Sequence, residues 1–115
     1  MDDLPRLRPA LQLIALFRDL DPYLPSQTID VFLTVASRAG DHGLETREIP
    51  ALTDLAQSST NRALTYLGET HWKDRSKPGL NLLQFRPKPQ DRRHVLASLT
   101  PKGRRLAGRI EELFA

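Results

Sequence analysis

Cysteine is absent from the 115 residues, which excludes a disulfide framework, a thiolate metal site and a thiol redox switch. Aromatic residues are scarce at 6%, with Trp72 the single tryptophan, so the core has to come from aliphatic side chains. Long apolar runs are missing too: the longest window, Leu11 to Phe17, is interrupted by Gln12 and is too short to cross a bilayer. The chain begins Met1-Asp2-Asp3, acidic where a secretory signal is basic, so a cytoplasmic location is expected. His42, His71 and His94 are scattered with no second ligand at helical or hairpin spacing, and no metal site is expected. No nucleophile, base and orienting acid cluster together, and no glycine-rich phosphate loop is present, so neither an enzyme nor a bound cofactor is expected. A chain of 115 residues suffices for one core and one domain.

The formal net charge is only +3, but it is unevenly spread. Residues 1–55 carry five Lys/Arg against nine Asp/Glu, a net of −4, whereas residues 56–115 carry twelve against five, a net of +7. Such a bias fits either an ordinary solvated surface or a face that meets a polyanion, and the local patterns of the basic half favour the second.

Apolar residues recur at helical spacing along much of the chain. Pro9 to Leu20 places Leu13, Ile14, Phe17 and Leu20 on one face, with Pro9 suited to a first turn and Asp21-Pro22 ending the helix. Ser26 is placed to cap a second helix carrying Ile29, Phe32, Leu33 and Ala36 on one face and leaving through Gly40 and Gly43. After a short strand at Leu44-Glu45, Thr46 resembles an N-cap for a short helix that turns Ile49, Leu52 and Leu55 inward, with Pro50 early enough to be tolerated. Ser58 and Ser59 give another capping signal, and Thr60, Ala63, Leu64 and Leu67 have the spacing of a buried face. Two short helices in series make a helix-turn-helix pattern. Gly68 to Gly79, GETHWKDRSKPG, loses periodicity and reads as a loop, with Trp72 anchoring it on the core.

The run Arg86 to Gly103, RPKPQDRRHVLASLTPKG, carries the most information. Arg86, Lys88, Arg92 and Arg93 crowd a turn stiffened by Pro87 and Pro89, with one anion, Asp91. Leu80 to Arg86 before it and His94 to Leu99 after it read as paired strands, with Asn81, Leu83 and Phe85 on one face of the first. Thr100-Pro101 reads as the N-cap and first residue of a last helix, to about Leu113, with Leu106, Ile110, Leu113 and Phe114 on a stripe. A basic hairpin entering a C-terminal helix is what the wing of a winged-helix protein needs. The expected fold class is mainly α with a small β-hairpin, a winged helix-turn-helix. It forms a single domain over 1–115, with helices 9–20 and 101–114 as candidate dimerisation elements.

In that fold the second helix of the pair meets base edges in the major groove. Ser58, Ser59, Asn61, Arg62 and Thr65 face outward on it: Arg can grip guanine bidentately, Asn can pair with adenine, and Thr can pack its methyl on thymine. The serines either only cap the helix or divide the work, one capping and the other touching phosphate. Arg92 and Arg93 follow Asp91, and an arginine at a hairpin tip can enter the minor groove while the carboxylate positions it. The competing reading is a surface ion pair worth about 0–1 kcal/mol. Arg86 and Lys88 belong to the same phosphate- and groove-contacting turn. Lys73, Arg75 and Lys77 either touch backbone phosphates or are solvated loop cations.

The segment Asp91 to Gly103, DRRHVLASLTPKG, resembles the wing and following helix start of the MarR (multiple antibiotic resistance regulator) family, where Asp-x-Arg, a short strand and Leu-Thr-x-x-Gly succeed one another. Here these are Asp91, Arg93, Leu99, Thr100 and Gly103. Ser58 to Leu67, SSTNRALTYL, is similar to that family's recognition helix and Leu44 to Leu55 to the helix before it, so the resemblance covers about Ser26 to the C-terminus. It implies a homodimer that binds duplex DNA, usually as a transcriptional repressor, with Ser59, Thr60, Asn61 and Arg62 in the major groove and Arg93 at the wing. The link from Leu67 to Leu80 is longer than the family's step from recognition helix to wing, and the terminal helices are shorter. The expected function is a sequence-specific regulator of transcription whose partners are double-stranded DNA and a second copy, with no membrane; a small-molecule effector stays open, with no residue in its support. The rivals are a winged-helix scaffold for protein interactions and a replication or architectural DNA-binding protein.

Overall fold

The computed structural model describes residues 2–71 and 74–115; the roles expected of Trp72 and Lys73 lie outside them. A 3₁₀ turn at Pro5–Leu7 leads into α1 (Arg8–Leu20), followed by α2 (Ser26–Arg38), β1 (Leu44–Glu45) and a second 3₁₀ turn at Thr46–Glu48. Then come α3 (Ile49–Thr53), α4 (Gln57–Leu67), β2 (Leu83–Lys88), β3 (Asp91–Leu99) and α5 (Pro101–Leu113). The strands make one antiparallel three-stranded sheet in the order β1-β3-β2. The architecture is mainly α with this small sheet, as expected.

The core is built around α2, where Val31, Phe32 and Val35 are fully buried. Phe32 meets Phe17 of α1 edge-on, with ring centroids 5.8 Å apart. Ile49 of α3, Ala63, Leu64 and Leu67 of α4, Leu82, Leu83 and Ala97 of the wing and Leu106 of α5 complete the cluster. Each buried Val, Leu, Ile or Phe of this cluster contributes roughly 1.5–3 kcal/mol on burial, and this packing rather than propensity holds helices as short as α3 and α4. Ile14 and Leu52, expected on buried faces, are 49% and 41% exposed, while α1 turns Leu13, Leu16, Phe17 and Leu20 to the core and α3 turns Ile49.

Three capping expectations are corrected. Pro25, in an extended conformation, precedes α2, which leaves Ser26 inside the first turn rather than at the cap. Thr46 opens the 3₁₀ turn and makes no capping hydrogen bond to α3. Ala56 is the N-cap of α4, so Ser58 and Ser59 both fall within its first turn and neither caps it. At α5 the expectation holds: the Thr100 hydroxyl accepts from the Gly103 N–H at 3.0 Å, with Pro101 in the first turn.

The first wing strand starts later than its alternation predicts. Leu80, Asn81 and Leu82 donate their N–H groups to the carbonyls of Tyr66, Leu67 and Gly68 at the end of α4, Leu80 to Tyr66 at 2.7 Å, Asn81 to Gly68 and Leu82 to Leu67 at 2.8 Å. The segment thus satisfies the orphan carbonyls of a helix end instead of a sheet ladder. Asn81 sits at φ +54°, which breaks the alternation and lets the adjacent Leu82 and Leu83 both be buried while Phe85 is 41% exposed. On its other side the same segment meets α5: Thr100 N–H donates to Leu82 O at 3.0 Å, the Thr100 hydroxyl to Asn81 O at 2.7 Å and Lys102 to Leu80 O at 2.8 Å.

On either side of Trp72 and Lys73, the described residues of the 68–79 stretch bond to one another. Thr70 bridges Pro78, His71 N–H donates to Lys77 O at 2.9 Å and Gly79 N–H to Glu69 O at 2.8 Å. At its tip the Asp74 carboxylate accepts the Ser76 hydroxyl at 2.6 Å and the Ser76 amide at 3.0 Å. These bonds, the hydroxyl first, hold its carboxyl below the usual range.

Candidate nucleic-acid interface

Asp54, at φ +59°, turns the chain sharply between α3 and α4. The Thr53 hydroxyl donates to Ile49 O at 2.8 Å and accepts from Leu55 N–H at 3.3 Å, closing the turn locally. α4 then buries Thr60, Ala63, Leu64 and Leu67, and also Tyr66, whose hydroxyl donates to Asp21 at 2.6 Å. Thr60 is fully buried, its hydroxyl donating to Ala56 O at 3.1 Å. The placement of Thr60 in the major groove is therefore overturned: it packs the helix down.

The outer side of α4 presents Ser58, Asn61 and Arg62 as exposed residues, with Ser59 and Thr65 half-buried at its margins. Gln57, not singled out by the sequence pattern, joins them: its amide donates to the Asn61 carbonyl oxygen at 2.9 Å. Its signal was the i, i+4 spacing to Asn61, visible only once the helix start is placed at Gln57. Arg62 Nη2 reaches Ser59 Oγ at 3.4 Å, and the Thr65 hydroxyl folds back onto Asn61 O at 2.9 Å.

The wing departs from the expected basic turn. β2 runs through Arg86 to Lys88 and β3 begins at Asp91, so only Pro89 and Gln90 form the turn. Pairing then slips: Pro87 pairs with Val95 but Lys88 with Asp91, leaving Arg92, Arg93 and His94 bulged without cross-strand partners. Pro87, with no N–H to give, stands where the ladder breaks. Arg86 donates to His42 O at 2.9 Å, and the Lys88 ammonium to the buried Glu45 carboxylate, so both are drawn back onto the body of the fold.

Asp91 grips Arg93 with both oxygens, Oδ1 to Nε and Oδ2 to Nη2, each at 3.0 Å, and accepts its backbone N–H at 3.2 Å. The Arg93 side chain is the first cause of a lowered Asp91 carboxyl, followed by that backbone amide. Glu45 is likewise lowered, by Lys88 first and Arg47 second. Arg47 joins the groups: its Nε lies 2.8 Å from Glu45 Oε2 and its Nη1 2.8 Å from His94 Nε2. Arg47 and His94 had drawn no role from the sequence, since the two stand far apart along it. Arg75 and Lys77 are exposed on the 68–79 excursion. Among the described residues no group of His, Cys, Asp or Glu could hold a metal ion, and no helix is long and apolar enough to cross a membrane.

A helix-turn-helix formed by α3 and α4, backed by α2 and followed by a β-hairpin wing, defines a winged-helix fold of the MarR type. The structure is similar to the PcaV transcriptional regulator from Streptomyces coelicolor, with a TM-score of 0.60 and 23% identity over 90% of this chain and 68% of that one. It is similar to MarR at a TM-score of 0.60 and 14% identity, over 96% of this chain and 75% of the other. BpsR of Bordetella bronchiseptica, whose DNA binding is regulated by 6-hydroxynicotinic acid, matches at 0.56 and 23% identity over 92% and 72% of the two chains. No protein-family model and no curated protein matches the sequence.

Proposed function

We propose that this protein is a sequence-specific duplex-DNA-binding regulator of transcription, acting in the cytoplasm as a homodimeric repressor and carrying no catalytic activity. The observation that carries this reading is α4, pinned to the core by Thr60, Ala63, Leu64 and Leu67 and exposing Ser58, Asn61 and Arg62 to solvent, second in a helix-turn-helix. Arg62 and Asn61, with Gln57, read base edges, since guanidinium and carboxamide groups match guanine and adenine bidentately. Ser58 and Ser59, beside first-turn amides that Ala56 cannot cap, meet phosphate, and Thr65, its hydroxyl occupied, offers its methyl. Arg93, aimed by Asp91, and Arg92 reach the neighbouring minor groove. Lys73, Arg75 and Lys77 add contacts to phosphates without sequence choice. Arg86 and Lys88, engaged with His42 and Glu45, stiffen the wing.

A second copy is the other partner. Leu4, Leu7, Leu11 and Ile14 recur at helical spacing along the start of the chain and are 68%, 58%, 70% and 49% exposed, and Phe114 after α5 is 57% exposed. An apolar stripe of this kind on terminal elements is suited to burial against its own symmetry mate.

Selection from a random duplex pool at near-physiological salt tests the reading. An enriched inverted repeat with half-sites about one helical turn, roughly 34–36 Å, apart is the expected result. Enrichment of no sequence would overturn it in favour of a protein-docking scaffold, and binding without preference in favour of an architectural DNA-binding protein.

A further inference from the structure

We infer that His94 is a positioning residue for the wing, holding Arg93 in its DNA-binding posture only while the imidazole is neutral; this rests on the DNA-binding reading of the wing. Arg93 has a side chain 87% exposed and lies in a bulge with no cross-strand partner. Its posture therefore depends on side-chain ties, and these form a chain leading inward. Asp91 holds Arg93, His94 Nδ1 lies 3.5 Å from Asp91 Oδ2, and His94 Nε2 lies 2.8 Å from Arg47 Nη1. Arg47 in turn bonds Glu45, whose side chain is only 9% exposed and which also takes Lys88.

The chemistry of the two partners dictates the state of the ring. A guanidinium can only donate, so Nε2 must offer its lone pair to Arg47 and the ring proton must sit on Nδ1, toward Asp91. A protonated ring carries N–H on both nitrogens. Its Nε2–H would then oppose the Arg47 donor at 2.8 Å, and the ring, now a cation, would compete with Arg93 Nη2 for the oxygen they share, Asp91 Oδ2. Both changes loosen the hold on Arg93. The charged groups facing the ring are Arg47, from the turn before α3, and Asp91 on β3. Glu45 and Lys88 stand one contact further away, and Glu48, Arg86 and His42 line the adjoining hollow. Imidazole is the side chain whose charge changes within the range where DNA binding is measured.

The test compares the whole protein with His94→Gln, whose amide oxygen can accept from Arg47 and whose NH2 can donate to Asp91 but which does not ionise. Affinity for the selected duplex is measured at constant ionic strength between about pH 7.5 and about pH 5.5, with the Arg47 and Arg93 Nε–H signals followed by NMR. His42 and His71 are common to both proteins and cancel in the comparison. On acidification the wild type should lose about two- to fivefold more affinity than the variant, the scale of an exposed ion pair. The two arginine signals should titrate in the wild type and stay still in His94→Gln. Identical affinity profiles together with untitrating arginines would overturn the inference. Loss of DNA binding at every pH in both proteins would instead overturn the DNA-binding reading, and the arginine titration would then still decide for or against the His94 tie.

Discussion

Arg62 on α4 and Arg93 on the wing are both exposed arginines, yet they are held differently. Arg62 reaches Ser59 one turn back along its own helix, at 3.4 Å, on the exposed side of α4. Arg93 is gripped twice at 3.0 Å by Asp91, and the ties behind Asp91 run through His94 and Arg47 to buried Glu45. A side chain on a rigid helix is presented by the helix itself, whereas an arginine on a bulged hairpin needs a fixed support to be presented at all. On the proposed function, sequence choice is assigned to α4 and a held, sequence-tolerant grip to the wing.

The largest expected effect comes from breaking what joins the two regions. The 80–82 segment bonds the end of α4 on one side and α5 on the other, and a Cβ at Gly103 would lie 2.1 Å from the Leu82 carbonyl oxygen. Gly103→Ala should therefore cost about 3 kcal/mol in urea unfolding, at the upper end for overpacking, and weaken the α4 and wing contributions together. An unfolding midpoint equal to the wild type would show that the segment tolerates displacement.

Tyr66→Phe tests whether α4 is pinned from beneath. Burial first, then the hydrogen bond and charge of Asp21, push the Tyr66 phenol up to about 12, and the same hydrogen bond is the first cause of a lowered Asp21 carboxyl. The phenol is raised, so its contribution is complete below its ordinary value of 10.0 and is lost as pH rises through about 12. The carboxyl is depressed, so its contribution is present above its ordinary 3.8 and is lost as pH falls through the lower folded value. Unfolding of the variant should show a deficit of about 1–2 kcal/mol at neutral pH, shrinking toward both extremes. A deficit independent of pH would contradict the pairing.

Lys77→Ala, away from both arginines, should have the smallest effect. Binding to selected and scrambled duplexes should weaken alike, and the slope of log affinity against log salt should fall by about one. A selective loss on the selected site would give the 68–79 excursion a share in base choice.

The helices and the α5 cap were legible because their signals are local: Leu13 and Phe17 one turn apart, Leu106 and Ile110 likewise, and Thr100-Pro101 at a helix start. The outward set Ser58, Asn61 and Arg62 followed from the inward set. Caps misread because Ser26, Ser58 and Ser59 are one to three residues past the true starts, where Pro25 and Ala56 already adopt extended backbone. The start of β2 misread because Leu80 to Leu82 spend their N–H groups on carbonyls of α4, a partner that no strand pattern encodes. The support of the wing was invisible for the same reason, since Lys88 meets Glu45 and Arg47 meets His94 only across the folded sheet and the turn beside it.

The most direct measurement is the affinity of wild type, Arg62→Ala and Arg93→Ala for the selected duplex and for a scrambled duplex of equal length and composition, at one salt concentration. Arg62→Ala should lose about 1–3 kcal/mol of discrimination between the two, while Arg93→Ala should weaken both by similar factors and leave their ratio standing. Equal loss of discrimination in both variants would contradict the division of roles between α4 and the wing.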